Sequence, residues 1–121
     1  MNLDFDSGKP IFLQIADGIE DAICTGAFPE ESQIPSITEF SVTYRINPAT
    51  ALKGINLLVD EGIIYKKRGI GMFVSTNAKE ILQNKRKEKF FENYISSLLN
   101  EAKKLNISTD EIIAMIKREN E

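Results

Sequence analysis

The chain has no histidine, and its 121 residues include one cysteine, Cys24. Without histidine it lacks the commonest general base and the commonest metal ligand. One cysteine closes no internal disulfide and builds no zinc site. Cys24 falls on the apolar side of an expected helix, where a buried, inert thiol is the ordinary reading. No apolar run approaches the roughly 18 residues of a membrane-spanning helix. The acidic start, Met1-Asn2-Leu3-Asp4-Phe5-Asp6, has no signal-peptide core. A cytoplasmic protein with no membrane partner is therefore expected. Gly69-x-Gly71 lacks the further glycine and following helix of a dinucleotide loop, and the lysine of a P-loop. The carboxylate pairs Asp60-Glu61 and Glu30-Glu31 fall at a helix end or in a loop, without a convergent partner. No catalytic residue, metal site or cofactor is expected, and the chain does not read as an enzyme.

Positive charge is short as well: the net charge is −3. Its distribution is uneven. Residues 44–68 carry Arg45, Lys53, Lys66, Lys67 and Arg68 against Asp60 and Glu61, five cations to two acids, which leaves +3. Asp4, Asp6, Asp17, Glu20, Asp21, Glu30 and Glu31 gather upstream. Such a dipolar module would meet a polyanion with one face only. The hydrophobic content of 42% is ordinary for a globular chain.

Residues 34–74 spell two short helices, a tight turn and a hairpin. Ser36 is placed to cap the first helix, and Glu39, three residues on, completes a capping box. Asn47 caps the second helix, with Pro48 at its first position, where no N–H is missed. Gly62 ends it as a C′ glycine. Ile63 to Lys67 and Met72 to Ser75 are strand-like, with Gly69 and Gly71 in the turn between them. Lys66, Lys67 and Arg68 crowd the turn. They either keep an edge strand soluble or meet phosphate oxygens; beside a capped helix pair the second reading gains weight. Together these elements describe a winged helix-turn-helix, a unit that docks on duplex DNA.

Upstream, Pro10 leads a helix to about Thr25, with Ile11, Ile15, Ile19 and Ile23 on one face and Asp17, Glu20 and Asp21 pointing away. It is expected to close a three-helix core with Phe28, Ile34, Ile37, Phe40, Ile55, Leu58 and Val59, covered by Ile63, Ile64, Phe73 and Val74. On the second helix, Ala49, Thr50, Lys53 and Asn56 fall on a different side from Ala51, Ile55, Leu58 and Val59. The first group suits a groove. Asn47 and Thr50 can bond phosphate or a base edge, Lys53 can reach phosphate or guanine, and Ala49 suits a thymine methyl. The bland reading leaves Asn47 a cap and Thr50 a surface residue.

Lys9-Pro10-Ile11-Phe12, Gln14-Ile15, Gly26, Ile34-Pro35-Ser36, Ile46-Asn47-Pro48-Ala49-Thr50, Glu61-Gly62 and Gly69-Ile70-Gly71-Met72-Phe73-Val74 follow in one collinear order. In this the chain resembles the GntR family of bacterial repressors, and most of all its small YtrA-type branch. The resemblance implies a DNA-binding dimer whose helix over residues 48–61 enters the major groove. It departs from the family's pattern at Thr38, where an arginine is usual, and at Leu52, where a basic residue is frequent. Thr38 can donate to a phosphate but cannot make arginine's fork to guanine. The expected DNA-binding set is Ser36, Thr38, Arg45, Asn47, Pro48, Ala49, Thr50, Lys53, Lys66, Lys67, Arg68, Gly69 and Gly71.

Residues 77–121 form a different piece from the winged unit over 1–76. A long helix is expected to about Leu105, polar from Gln83 to Lys89. Lys85, Arg86, Lys87 and Lys89 belong either to a solvated linker or to a strip against flanking phosphates. Phe91, Tyr94, Ile95, Leu98, Leu99, Ala102 and Leu105 then draw an apolar stripe, and a last helix capped by Ser108 adds Ile112, Ile113 and Ile116. Two such helices cannot enclose a core of their own, so the stripe is expected to dimerise on a second copy.

The fold class expected is mostly α: three helices and a hairpin wing, then a two-helix dimerisation unit. The function expected is a homodimeric transcription regulator, a repressor on a palindromic operator with half-sites about 34 Å apart per turn. The alternative is a winged-helix protein-interaction module that has lost DNA reading. The tail is too short to enclose a drug-sized pocket, so any small-molecule effector would bind between subunits. The resemblance alone points to transporter operons as targets.

Overall fold

The capping chemistry sets the helix borders. In the computed structural model, which describes residues 1–120, the elements run α1 Ile11–Cys24, α2 Ile37–Tyr44, α3 Pro48–Asp60, β1 Ile64–Lys67, β2 Gly71–Val74, α4 Ala78–Phe90, a π turn Phe91–Ile95, α5 Ser96–Lys104 and α6 Thr109–Glu119. The fold is mostly helical, with a winged helix-turn-helix followed by C-terminal helices. At α2 the Glu39 N–H donates to Ser36 Oγ at 3.1 Å, and the Ser36 N–H donates to the Glu39 carboxylate at 3.1 Å. At α3 the Ala49 N–H donates to Asn47 Oδ1 at 2.8 Å. Between the two helices Arg45 is left-handed, with φ 53°. The Ile46 N–H donates to the Ser41 carbonyl at 3.1 Å, and Ser41 Oγ donates back to the Ile46 carbonyl at 2.6 Å. These two bonds close the turn.

The chain forms two units, Met1–Gln83 and a second that begins at Asn84. In the first, α1 packs on α3, and Ile15, Ile19, Ile23, Ile55 and Leu58 are wholly buried. Each such side chain contributes roughly 1.5–3 kcal/mol when removed from water. The helices approach closely at Gly54, where a Cβ would stand 2.6 Å from the Phe12 carbonyl oxygen. The unit also takes in the start of α4, because Ala78 and Leu82 are fully buried in the same core. It therefore extends past the boundary read from the sequence at residues 76–77.

The wing is an antiparallel pair in the register Ile64↔Val74, Tyr65↔Phe73, Lys66↔Met72 and Lys67↔Gly71. A third segment joins β2 from the other side: the Glu31 N–H donates to the Val74 carbonyl, the Ile34 N–H to that of Met72, and the Val74 N–H to that of Ser32.

Four core expectations are corrected. Met72, not Phe73, joins Val74 in the core, because neighbouring strand residues face opposite sides. Phe73 is instead half-buried and stacks on Tyr65 at 5.8 Å. Cys24 is exposed, since Ile23 occupies the last inward position of α1. Glu20 does not point away: it lies one turn after buried Ala16 and is itself buried, with an interaction partner inside the protein. Phe28, Ile37 and Val59 pack only at the edge of the core.

In the second unit the helix does not run as a uniform α-helix to Leu105. The Ser96 N–H reaches back five residues to the Phe91 carbonyl, so a π turn interrupts the regular spacing. Asn106, at φ 56°, reverses the chain into α6, which Ser108 and Glu111 start with a reciprocal capping box. Ala102 and Ile112 are buried within this unit, while Phe91, Tyr94, Leu98, Leu105, Ile113 and Ile116 stay exposed. Ile95 and Leu99 are intermediate. Among the described residues no helix is long and apolar enough to cross a membrane.

Candidate nucleic-acid interface

The candidate residues fall into two neighbouring groups on the first unit. One is the helix-turn-helix corner. Arg45, Asn47, Pro48, Ala49 and Lys53 are exposed there and Thr50 is half-buried, while Ala51, Gly54, Ile55 and Leu58 face the core. The sidedness read from the sequence is that of the folded helix. The start of α3 leaves N–H groups without intrahelical partners, and Asn47 takes one of them. What remains is an outward, positively polarised helix end flanked by small side chains, which suits contact with phosphate or a base edge.

The other group lines an open groove of about 480 Å³ between the start of α2 and the wing. Ser36 and Thr38 stand on one bank, and Lys66, Lys67, Arg68, Gly69 and Gly71 on the other. Gly69 takes φ +76° in the wing turn, which the Ile70 N–H closes onto the Lys67 carbonyl at 3.0 Å. That conformation is easy for glycine and strained for other residues. Ser36 already accepts one hydrogen bond as a cap, and its hydroxyl proton is what it can offer to a phosphate.

The cations are less outstretched than their place in the sequence suggests. Lys53 Nζ lies over the Phe12 ring, 4.1 Å from its centroid. Lys66 Nζ donates to Asn56 Oδ1 at 3.0 Å, which ties the wing to α3. Lys67 Nζ rests 4.5 Å from the Phe73 centroid and 5.8 Å from that of Tyr65. An ammonium over an aromatic face is attracted by the ring's negative quadrupole, and these contacts hold the lysine stems against the fold. Arg68 is exposed at the turn.

Behind the wing, Tyr65 donates its hydroxyl proton to Glu31 at 2.8 Å, and Thr76 donates to the other oxygen of the same carboxylate. The Thr76 bond first, and the Tyr65 bond second, hold the Glu31 carboxyl below the usual glutamate range. The same carboxylate pushes the Tyr65 phenol above its ordinary value. Glu30 accepts from the Lys79 N–H at the start of α4. The sequence reading missed Glu31, Gln33 and Ile70 as parts of this region. Their contacts join residues more than thirty positions apart, as between Gln33 and Ile70, and no local pattern announces them.

The profile of the bacterial regulatory proteins of the gntR family matches residues 12–74, from α1 to the end of the wing. The chain belongs to the GntR family. Members of that family are DNA-binding transcriptional regulators, not enzymes. The chain is similar to the HTH-type transcriptional regulator YhcF of Bacillus subtilis, with 27% identity over 97% of this chain and 95% of the relative. It is also similar to the HTH-type transcriptional repressor YtrA of the same organism, with 33% identity over 68% of this chain and 63% of YtrA. A GntR-family regulator from Listeria monocytogenes superposes with a TM-score of 0.72 at 33% identity, covering 94% of this chain and 98% of that one. YtrA from Sulfolobus acidocaldarius, a GntR-family transcription factor, has a TM-score of 0.58 at 30% identity, covering 98% and 94%. These GntR relatives extend the likeness past the wing into the C-terminal helices, which the family profile leaves out.

Proposed function

We propose that this GntR-family regulator works in the cytoplasm as a homodimeric repressor on a palindromic operator. The observation that carries the reading is the pairing of two surfaces. The first unit presents the start of α3 and a cationic wing groove. The second presents Tyr94, Leu98, Ile113 and Ile116 as exposed apolar side chains around the buried Ala102 and Ile112. Exposed apolar surface of this density is characteristic of an interface.

The C-terminal unit supplies the dimer contact, and each winged unit reads one half-site. α3 enters the major groove, with Asn47, Ala49 and Thr50 leading. Arg45, Ser36, Thr38 and the wing cations position the protein on phosphates. A bound dimer would block promoter access, as the repressor name of the YtrA relative suggests for this chain.

The test is selection of bound fragments from random duplexes, combined with light scattering of the purified chain. The expected outcome is a palindrome with half-sites about 34 Å apart, bound by a particle of two copies with an affinity that falls steeply as salt rises. A monomer bound to single half-sites would sink the dimer, and binding without sequence preference would sink the operator.

A further inference from the structure

We infer that the winged unit holds a regulatory site for a small organic ammonium ion, in a cavity between α1 and α2, and that occupancy of this site weakens DNA binding. The regulatory half rests on the reading above, in which the start of α2 faces the duplex. The binding half stands without it.

The cavity has a volume of about 310 Å³, at the small end of the range for ligand sites. It owes its shape to a glycine. Gly18 lies in the middle of α1, where glycine is a poor helix former. A Cβ there would stand 2.7 Å from the Met1 side chain. Without a Cβ, the Met1 side chain lies across the helix and forms one wall. That chain is unbranched and flexible, so the wall can shift to fit a guest. Buried Phe40 and half-buried Phe28 and Tyr44 supply an aromatic lining. The Phe40 and Tyr44 rings stack at 6.1 Å between centroids.

The charge identifies the guest. Among the described residues that line the cavity, the one charged side chain is the Glu39 carboxylate. The groove that continues past Met1 and Gly18 is lined by Asp17 and Asp21 and, among the described residues, by no lysine or arginine. Asp17 also pairs with Lys9. A mouth of that sign draws a cation. Inside, an alkylated ammonium is attracted by aromatic faces, which ask for no hydrogen bonds in return. An anion would meet Glu39 with the wrong sign, and a neutral guest would gain nothing from it. The ligand is therefore an ammonium that carries aryl or branched alkyl groups.

Glu39 also connects the cavity to the DNA-facing surface. Its carboxylate accepts the Ser36 N–H at 3.1 Å and so completes the capping box that starts α2. Ser36 and Thr38 stand on the bank of the wing groove. A cation that draws the carboxylate into the cavity loosens the box, and with it the placement of Ser36 and Thr38. By linkage, DNA and the cation then oppose each other's binding.

The experiment uses the full chain, with benzyltrimethylammonium as the probe, benzyl alcohol as its neutral counterpart, and sodium chloride to hold ionic strength constant. In an NMR titration without DNA, the ammonium is expected to shift the Met1, Phe28 and Tyr44 signals saturably, with a Kd of about 1 mM or below. Benzyl alcohol should bind about tenfold more weakly or worse, for want of the charge. Glu39→Gln keeps the capping box, because glutamine accepts the same Ser36 N–H. It should melt like the parent and bind the ammonium about tenfold more weakly. On the selected operator, saturating ammonium should weaken the parent about threefold or more and leave Glu39→Gln unmoved. No saturable shift, equal binding of the two probes, equal binding by parent and Glu39→Gln, or shifts confined to other residues would each overturn the site. Operator affinity unmoved at saturation would overturn the regulation. If no duplex is selected at all, the operator reading fails, while the titration still decides the site.

Discussion

The Tyr65 hydroxyl donates to the Glu31 carboxylate at 2.8 Å, joining the first wing strand to the loop that runs alongside the second. Glu31 takes a left-handed φ of 67° to make this reach. Its pKa is lowered, so its contribution to stability is complete above the ordinary glutamate range and is lost as pH falls through the lowered value. Tyr65 is raised, so its contribution is complete below the ordinary tyrosine value and is lost as pH rises through the raised one. Tyr65→Phe should remove the alkaline loss and move the Glu31 midpoint up. Thr76→Val should move it further, because the Thr76 bond is the larger cause. Carboxyl carbon shifts followed by NMR through the acid range would decide it; a Glu31 midpoint unmoved in both variants would remove the bond's role.

Gly54 is required for the contact between α1 and α3. Gly54→Ala would ordinarily gain helix propensity, roughly 1 kcal/mol in an exposed helix. Here the added methyl meets the Phe12 carbonyl oxygen at 2.6 Å and Ile15 at 3.2 Å. The backbone carbonyl cannot rotate away, so an overpacking cost of about 1–3 kcal/mol, before the propensity gain is subtracted, decides the sign. Urea denaturation should show a lower midpoint with an unchanged slope. A midpoint at or above that of the parent would contradict the close approach.

Asn47 has two separable duties. Asn47→Ala should cost about 1 kcal/mol as a lost N-cap. Asn47→Ser keeps the cap and removes the amide. If Asn47 also touches DNA, the serine variant melts like the parent yet binds the operator more weakly. Equal binding by parent and Asn47→Ser would reduce Asn47 to a cap.

Arg68 and Lys53 are expected to differ in their salt dependence. Arg68→Ala should lower the slope of log affinity against log salt by about one, as for a phosphate contact. Lys53 lies over Phe12, so Lys53→Ala should change the slope less and show its effect in thermal stability, on the order of 0.5–1 kcal/mol. The reverse ordering would mean that Lys53 leaves Phe12 on binding.

Leu98 and Ile116 are exposed on the second unit. If these side chains form the proposed dimer contact, Leu98→Glu with Ile116→Glu should give a monomer in light scattering where the parent gives a dimer, with little change in the melting of the winged unit. Operator affinity should fall at least tenfold, because each half-site then binds without its linked neighbour. A double variant that remains dimeric would place the interface elsewhere.

The caps at Ser36 and Asn47, the stripe of Ile15, Ile19 and Ile23, and the glycine turn of the wing were legible in the chain because each is a local rule. A cap, a helical period and a positive φ all act within four residues of their cause. The family likeness was legible for the same reason, as an ordered string of such local features. Met72 rather than Phe73 in the core is equally local, because strand alternation puts Met72 on the same side as Val74.

Glu20, the lysines and the wing tip belong to the other kind. Whether Glu20 is buried depends on what packs beside α1, not on its neighbours in the chain. Lys53 reaches the Phe12 ring, Lys66 reaches Asn56, and Gln33 holds Ile70 from 37 positions away. Chain order dictated the elements and their faces, because backbone hydrogen bonding and side-chain period are short-range. Where each cation rests and how the wing tip is aimed were settled only when distant segments met, since those contacts exist in three dimensions and nowhere along the string.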